Sequence, residues 1–168
     1  MKTLILVRHA KAEEKTDSEH DFERSLTVEG VRDAGIMGIR LHSMKTKADA
    51  VISSPANRAV QTAEIIHDKI SSAAEITTIK EIYMAKESTL MKIIKKLNDN
   101  LKTVIIVGHN PSLNHLLDML CETNVENIPK GAIVGIKLDI ESWRDVSQKC
   151  GTLTFFDSPK NMIKHKVK

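Results

Sequence analysis

Aromatic residues are nearly missing from this 168-residue chain, which has one tryptophan, one tyrosine and three phenylalanines. The core must therefore be aliphatic, and the stacking platforms on which nucleic-acid binders rely are excluded. Cysteine is equally scarce. Cys121 and Cys150 stand far apart, with no CxxC pair and no histidines at zinc spacing, so neither a disulfide framework nor a structural zinc is expected. They read as reduced thiols of a cytoplasmic protein. Long apolar runs are also missing. The opening MKTLILVRH has only four apolar residues, Leu4 to Val7, before Arg8, too few for a secretion signal. No run approaches the ~20 residues of a membrane helix. Charge of one sign is missing as well: 25 basic and 22 acidic residues leave +3, much of it in the final KNMIKHKVK. That surplus supports at most a weak pull on anionic partners. The length predicts a single domain over 1–158, with 159–168 as a basic tail.

Short apolar runs alternate with amphipathic stretches along the chain. Thr3–Val7, Asp49–Ser53, Glu75–Ile79 and Thr103–Gly108 are β-branched and continuously apolar, as strands covered on both faces should be. Between them, apolar residues fall at helical spacing. Ala34, Met37, Gly38 and Leu41 form one stripe, and Ala59, Ala63, Ile66 and Ile70 a second. Leu90, Ile93, Ile94 and Leu97 form a third, and Leu113, Leu116, Leu117 and Leu120 a fourth. Ser54-Pro55 and Asn110-Pro111 each place a capping side chain before a proline, and Thr27 is a third cap. Two last strands, Gly131–Ile140 and Gly151–Asp157, predict a hairpin. The expected fold is α/β in three layers: a mostly parallel central sheet, helices on both faces, and an antiparallel edge.

Chemistry gathers where these strands end. Arg8 and His9 follow the first strand, His109 follows TVIIVG, and Arg58 lies in the first turn of the helix after DAVIS. In an open parallel sheet, the carboxyl ends of the strands form the ligand crevice. Helix N-termini there offer free N–H donors, and arginine adds paired donors matched to phosphate oxygens. Each residue alone has a plainer reading, a backbone-bonded histidine or a solvated arginine. Their shared rim points to a phosphoryl group. Arg58 sharpens the case, because a cation early in a helix opposes the dipole and a bound anion would relieve it.

Four segments, LVRHAKAE, RSLTVEG, SSPANRAVQTAEII and VGHNPSLN, resemble the signatures of the histidine phosphatase superfamily in order and spacing. The likeness is to its short, SixA-like phosphohistidine phosphatase branch and runs from Met1 to about Cys121. It implies a phosphoglycerate mutase-like fold and a metal-independent phosphatase without a cofactor. It further implies that His9 is the nucleophile, that Arg8 and Arg58 clamp phosphate, that His109 contacts the phosphoryl oxygens, and that Arg24 adds a contact. Ala10 stands where much of the superfamily has glycine, and alanine is usual in the short branch. Asp21 and Glu81 are the candidates for a general acid, Glu81 through IKEIYMAKE, which resembles a further segment of that branch.

The expected activity is hydrolysis of a protein phosphohistidine through a covalent intermediate on His9. Two other readings stand beside it: a phosphomonoesterase acting on a small metabolite or sugar phosphate, and a phosphate-recognition module without turnover. An intact His9 counts against the module, since binding needs arginines but no nucleophile. Only residues 59–108 separate Arg58 from His109, which leaves little room for a lid. Neither nucleic acid nor membrane is an expected partner.

Overall fold

Leu4 and Leu6 face one side of the central sheet while Ile5 and Val7 face the other, and all four are buried. This two-sided burial is why the run lacks polar alternation. The computed structural model describes residues 1–14 and 20–166. Its strands are β1 (Lys2–Arg8), β2 (Ala50–Ser53), β3 (Ile76–Thr78), β4 (Thr103–Gly108), β5 (Ile133–Leu138) and β6 (Gly151–Asp157). The sheet order is β3-β2-β4-β1-β5-β6. The first four strands run parallel, and β5 is antiparallel to both β1 and β6. The expected mixed sheet with an antiparallel edge is thus the one observed.

Helices cover both faces: α1 (Val28–Ser43), α2 (Asn57–Lys69), α3 (Glu87–Lys95), α4 (Ser112–Leu120) and α5 (Pro159–Lys166). Met37 and Leu41 of α1 and Ala59, Ala63 and Ile66 of α2 pack on Ile5, Val7, Val51, Ile105 and Val107. Leu90 and Ile94 of α3 and the four leucines of α4 pack on Leu4, Leu6, Ile52, Val104 and Ile106. Among the described residues, no helix is long and apolar enough to cross a membrane.

The expected caps fare unequally. Thr27 does cap α1, its hydroxyl accepting from Gly30 N–H at 3.0 Å. Gly30 is required here for space, because a Cβ would come 2.1 Å from the Lys11 carbonyl oxygen. Ser54 and Asn110 do not cap: α2 begins at Asn57 and α4 at Ser112, and both side chains are engaged elsewhere. The Ser-Pro pattern operates at the other end of the chain. Pro159 opens α5, and the Ser158 hydroxyl accepts from Asn161 N–H at 3.5 Å. The segment expected as a tail is therefore helical from 159 to 166, with Met162 packed against the α1–α2 face. Residues 167 and 168 lie outside the described residues.

Candidate active site

Register brings the strand ends level. Arg8 pairs with Gly108 across β1 and β4, and Ser53 with Val107 across β2 and β4. Two backbone bonds extend the alignment, His9 N–H to Gly108 O (3.1 Å) and Ser54 N–H to Val107 O (3.0 Å). His9, Ser54 and His109 are thereby set side by side.

The His9 imidazole is buried, and its Nδ1 lies 2.8 Å from the Ala10 carbonyl oxygen. A carbonyl only accepts, so Nδ1 carries the proton and Nε2 keeps its lone pair. The His109 ring lies 5.2 Å away, centroid to centroid, at 53°. Burial first, and then the Arg58, Arg8 and Lys130 charges, push His9 down to about 4 from its ordinary 6.5. Burial, His9, Arg58 and Arg8 push His109 down to about 3. Both imidazoles are neutral near pH 7.

His109 Nε2 lies 2.8 Å from the Ser54 hydroxyl. That oxygen accepts from Ala56 N–H at 3.2 Å, and we assign its own proton to the contact with His109, which makes Nε2 the acceptor. In that tautomer His109 Nδ1 carries a proton, and this buried atom has no partner among the described residues.

Arg58 and Arg8 are held by their outer nitrogens. Arg58 donates to the Asp21 carbonyl (2.8 Å) and to Asp21 Oδ2 (3.3 Å), and Arg8 donates to the Ile128 carbonyl (2.9 Å). Their inner Nε atoms are buried without a partner among the described residues. The rest of RAVQT tightens the same region: Thr62 accepts from Ala10 N–H, Gln61 from Leu26 N–H, and Asn57 donates to Glu23 O. The segment 20–27 is thus stitched to α2.

Arg24 donates to Asp21 Oδ1 (3.1 Å) and to the Glu13 carbonyl (2.8 Å), so the structure places it beside Asp21. Asp21 joins Arg24, Arg58 and the Tyr83 hydroxyl, which donates to Oδ2 at 2.5 Å. Its carboxyl oxygens serve as acceptors for the clamp. Glu81 is not brought into this group. It is exposed and lines a separate cleft with Ile79, Thr89, Lys92 and Ile93.

Tyr83 escaped the sequence reading although it is the chain's only tyrosine and lies in the very segment that suggested Glu81. Its ring meets His109 edge-on at 5.8 Å and stands 6.0 Å from the Arg58 guanidinium. Lys130 was missed for another reason, because it is distant in sequence. Gly131 N–H bonds the carbonyls of both Arg8 and His9 (3.0 Å each), and its φ of +77° suits glycine at that turn.

Comparison with known proteins gives the family. A protein of Mycobacterium tuberculosis whose function is uncharacterised is 30% identical over 164 residues, covering 92% of this chain and 100% of its own. The phosphohistidine phosphatase SixA of Escherichia coli is 24% identical over 139 residues, covering 81% and 85%. A solved structure of the protein histidine phosphatase SixA complexed with tungstate superposes with a TM-score of 0.81 at 24% identity, covering 95% and 99%. The family model of the histidine phosphatase superfamily (branch 1) matches residues 4–87, the stretch that holds Arg8, His9, Arg24 and Arg58. On this match, and with its strand ends arranged as described, the chain belongs to the histidine phosphatase superfamily.

Proposed function

We propose that this phosphatase hydrolyses a phosphoryl group carried on a protein histidine, through a covalent intermediate on His9. One observation carries the reading. Three buried nitrogens without a partner among the described residues, on Arg8, Arg58 and His109, belong to side chains gathered about a neutral histidine whose Nδ1 is engaged by the Ala10 carbonyl, which leaves the Nε2 lone pair to act. Unpaired buried donors are costly, and a phosphoryl group is the acceptor that matches guanidinium and imidazole N–H together. A SixA of the same fold binds tungstate, another tetrahedral oxyanion.

In the first step His9 Nε2 attacks phosphorus and forms a new N–P bond. The substrate's N–P bond breaks, and its imidazole leaves with the electron pair and takes a proton from water. In the second step water attacks phosphorus, the bond to His9 breaks, and inorganic phosphate departs. Arg8 and Arg58 offset charge on the equatorial oxygens, with His109 as a further donor and Arg24 supporting through Asp21. Fixed guanidinium charges do the work that other phosphatases give to a metal, so no metal is required. An imidazole leaves readily once protonated. The reaction therefore needs no firmly held acid, consistent with Asp21 serving the arginines and Glu81 facing another cleft. The substrate we propose is accordingly a phosphohistidine protein of cytoplasmic signal transduction.

The test sets a phosphohistidine protein, phosphoserine peptides and sugar phosphates side by side, with and without EDTA. The phosphohistidine protein should show the highest kcat/KM, unchanged by chelation. A preferred sugar phosphate, or activity lost to EDTA and restored by magnesium, would overturn the proposal.

A further inference from the structure

In a chain with only five aromatic residues, two stand together beside the candidate site. The Phe22 and Tyr83 rings meet edge to face, 5.0 Å apart at 87°, and Tyr83 continues the series to His109. Trp143, by contrast, is fully buried in the core, and Phe155 and Phe156 pack against it. Phe22 is 41% exposed, an unusual state for a large apolar ring that is held firmly in place. It is held because its neighbour Asp21 receives Arg58 through both the backbone carbonyl and the carboxylate. Tyr83 is held in turn by its hydroxyl on Asp21.

We infer that Phe22 and Tyr83 form a wall for a planar leaving group, so that the site selects a phosphoryl group borne on a flat ring over one borne on an aliphatic alcohol. The inference rests on the phosphatase reading and adds a determinant of specificity to it. A ring beside His109 can meet Tyr83 and Phe22 in the edge-to-face or offset arrangement that aromatic pairs prefer. An aliphatic chain has no quadrupole to match and gains only area.

Binding separates this idea from the chemistry. Affinity for phenylphosphonate and for methylphosphonate, neither of which is hydrolysed, is measured by calorimetry on the intact protein. The wild type should prefer the phenyl compound. Phe22→Ala should cut that preference about fivefold, and Phe22→Leu, which restores bulk without planarity, should recover little of it, whereas Phe22→Trp should restore it. The ratio of kcat/KM for phosphoimidazole to that for phosphoserine should fall in parallel. An unchanged preference in Phe22→Ala, or full recovery by leucine, would overturn the wall. If the wild type turns over no phosphate yet shows the Phe22-dependent preference, the phosphatase reading falls and the wall stands.

Discussion

The Ser54 hydroxyl lies 2.8 Å from Nε2 of His109 and bridges the end of β2 to the end of β4. Because a neutral imidazole has one donor and one acceptor nitrogen, this contact decides what His109 presents on its other side. With Ser54 donating, Nδ1–H is the free donor. Ser54→Ala should therefore lower kcat/KM by roughly fivefold, the worth of about one hydrogen bond, and Ser54→Thr should retain most of the activity. Steady-state kinetics on a phosphohistidine protein checks this. Wild-type kinetics in the alanine variant would remove Ser54 from the account.

Arg58 and Asp21 form one unit, and the two variants should behave accordingly. Arg58→Ala should cost about 3 kcal/mol of transition-state stabilisation, near 10²-fold in rate. Asp21→Asn should reduce activity by the same factor on good and poor leaving groups, because Asp21 acts through Arg58. A loss confined to poor leaving groups, measured across substituted phenyl phosphates, would instead make Asp21 the general acid.

Acid should destabilise the fold through the two site histidines. Their folded-state values, about 4 for His9 and about 3 for His109, lie below the ordinary 6.5. The unfolded chain thus takes up these protons first, so stability falls as pH drops from about 6.5 toward 4. Each unit of depression is worth about 1.4 kcal/mol for a buried group. Urea denaturation at pH 7 and pH 5 should show the loss, and His109→Asn should flatten it. An identical pH dependence in the variant would contradict the burial argument.

Lys2 provides a control remote from catalysis. It is buried at the opposite end of β1, where its ammonium donates to the Asp99 carbonyl (2.5 Å) and the Leu101 carbonyl (3.1 Å) beneath the Trp143 ring. Lys2→Met should destabilise the protein by about 2 kcal/mol by taking the donor from the Asp99 carbonyl, the Leu101 carbonyl keeping the Trp143 indole N–H at 2.8 Å, with kcat/KM unchanged. A kinetic defect in a folded Lys2→Met protein would show that the two ends of β1 are coupled.

Much of the architecture is legible in the sequence because two-sided burial writes strands as unbroken apolar runs. Leu4–Val7 and Val104–Val107 show this, and α1 and α4 carry their stripes clearly. Arg8, His9, Arg58 and His109 are legible because each directly follows a strand or opens a helix. Local signals failed where a side chain had a tertiary alternative. Ser54 turns to His109, and the Asn110 amide donates to the Ile128 carbonyl at 3.0 Å. Tyr83, Phe22 and Lys130 carry no periodic signature, and only folding brings Tyr83 to His109, Phe22 to Tyr83 and the Lys130 charge within range of His9. The basic composition of 159–168 suggests only a solvated tail, whereas Ser158-Pro159 opens the helix α5.

The central claim, that the His9 nitrogen itself takes the phosphoryl group, is tested most directly by rapid alkaline quench of the enzyme during turnover, followed by peptide mass mapping. The account predicts one phosphoryl group on His9, stable in base and labile in acid, and none in His9→Ala, which should be folded and inactive. A folded His9→Ala protein with full activity, or a phosphoryl group trapped on any other residue, would contradict it.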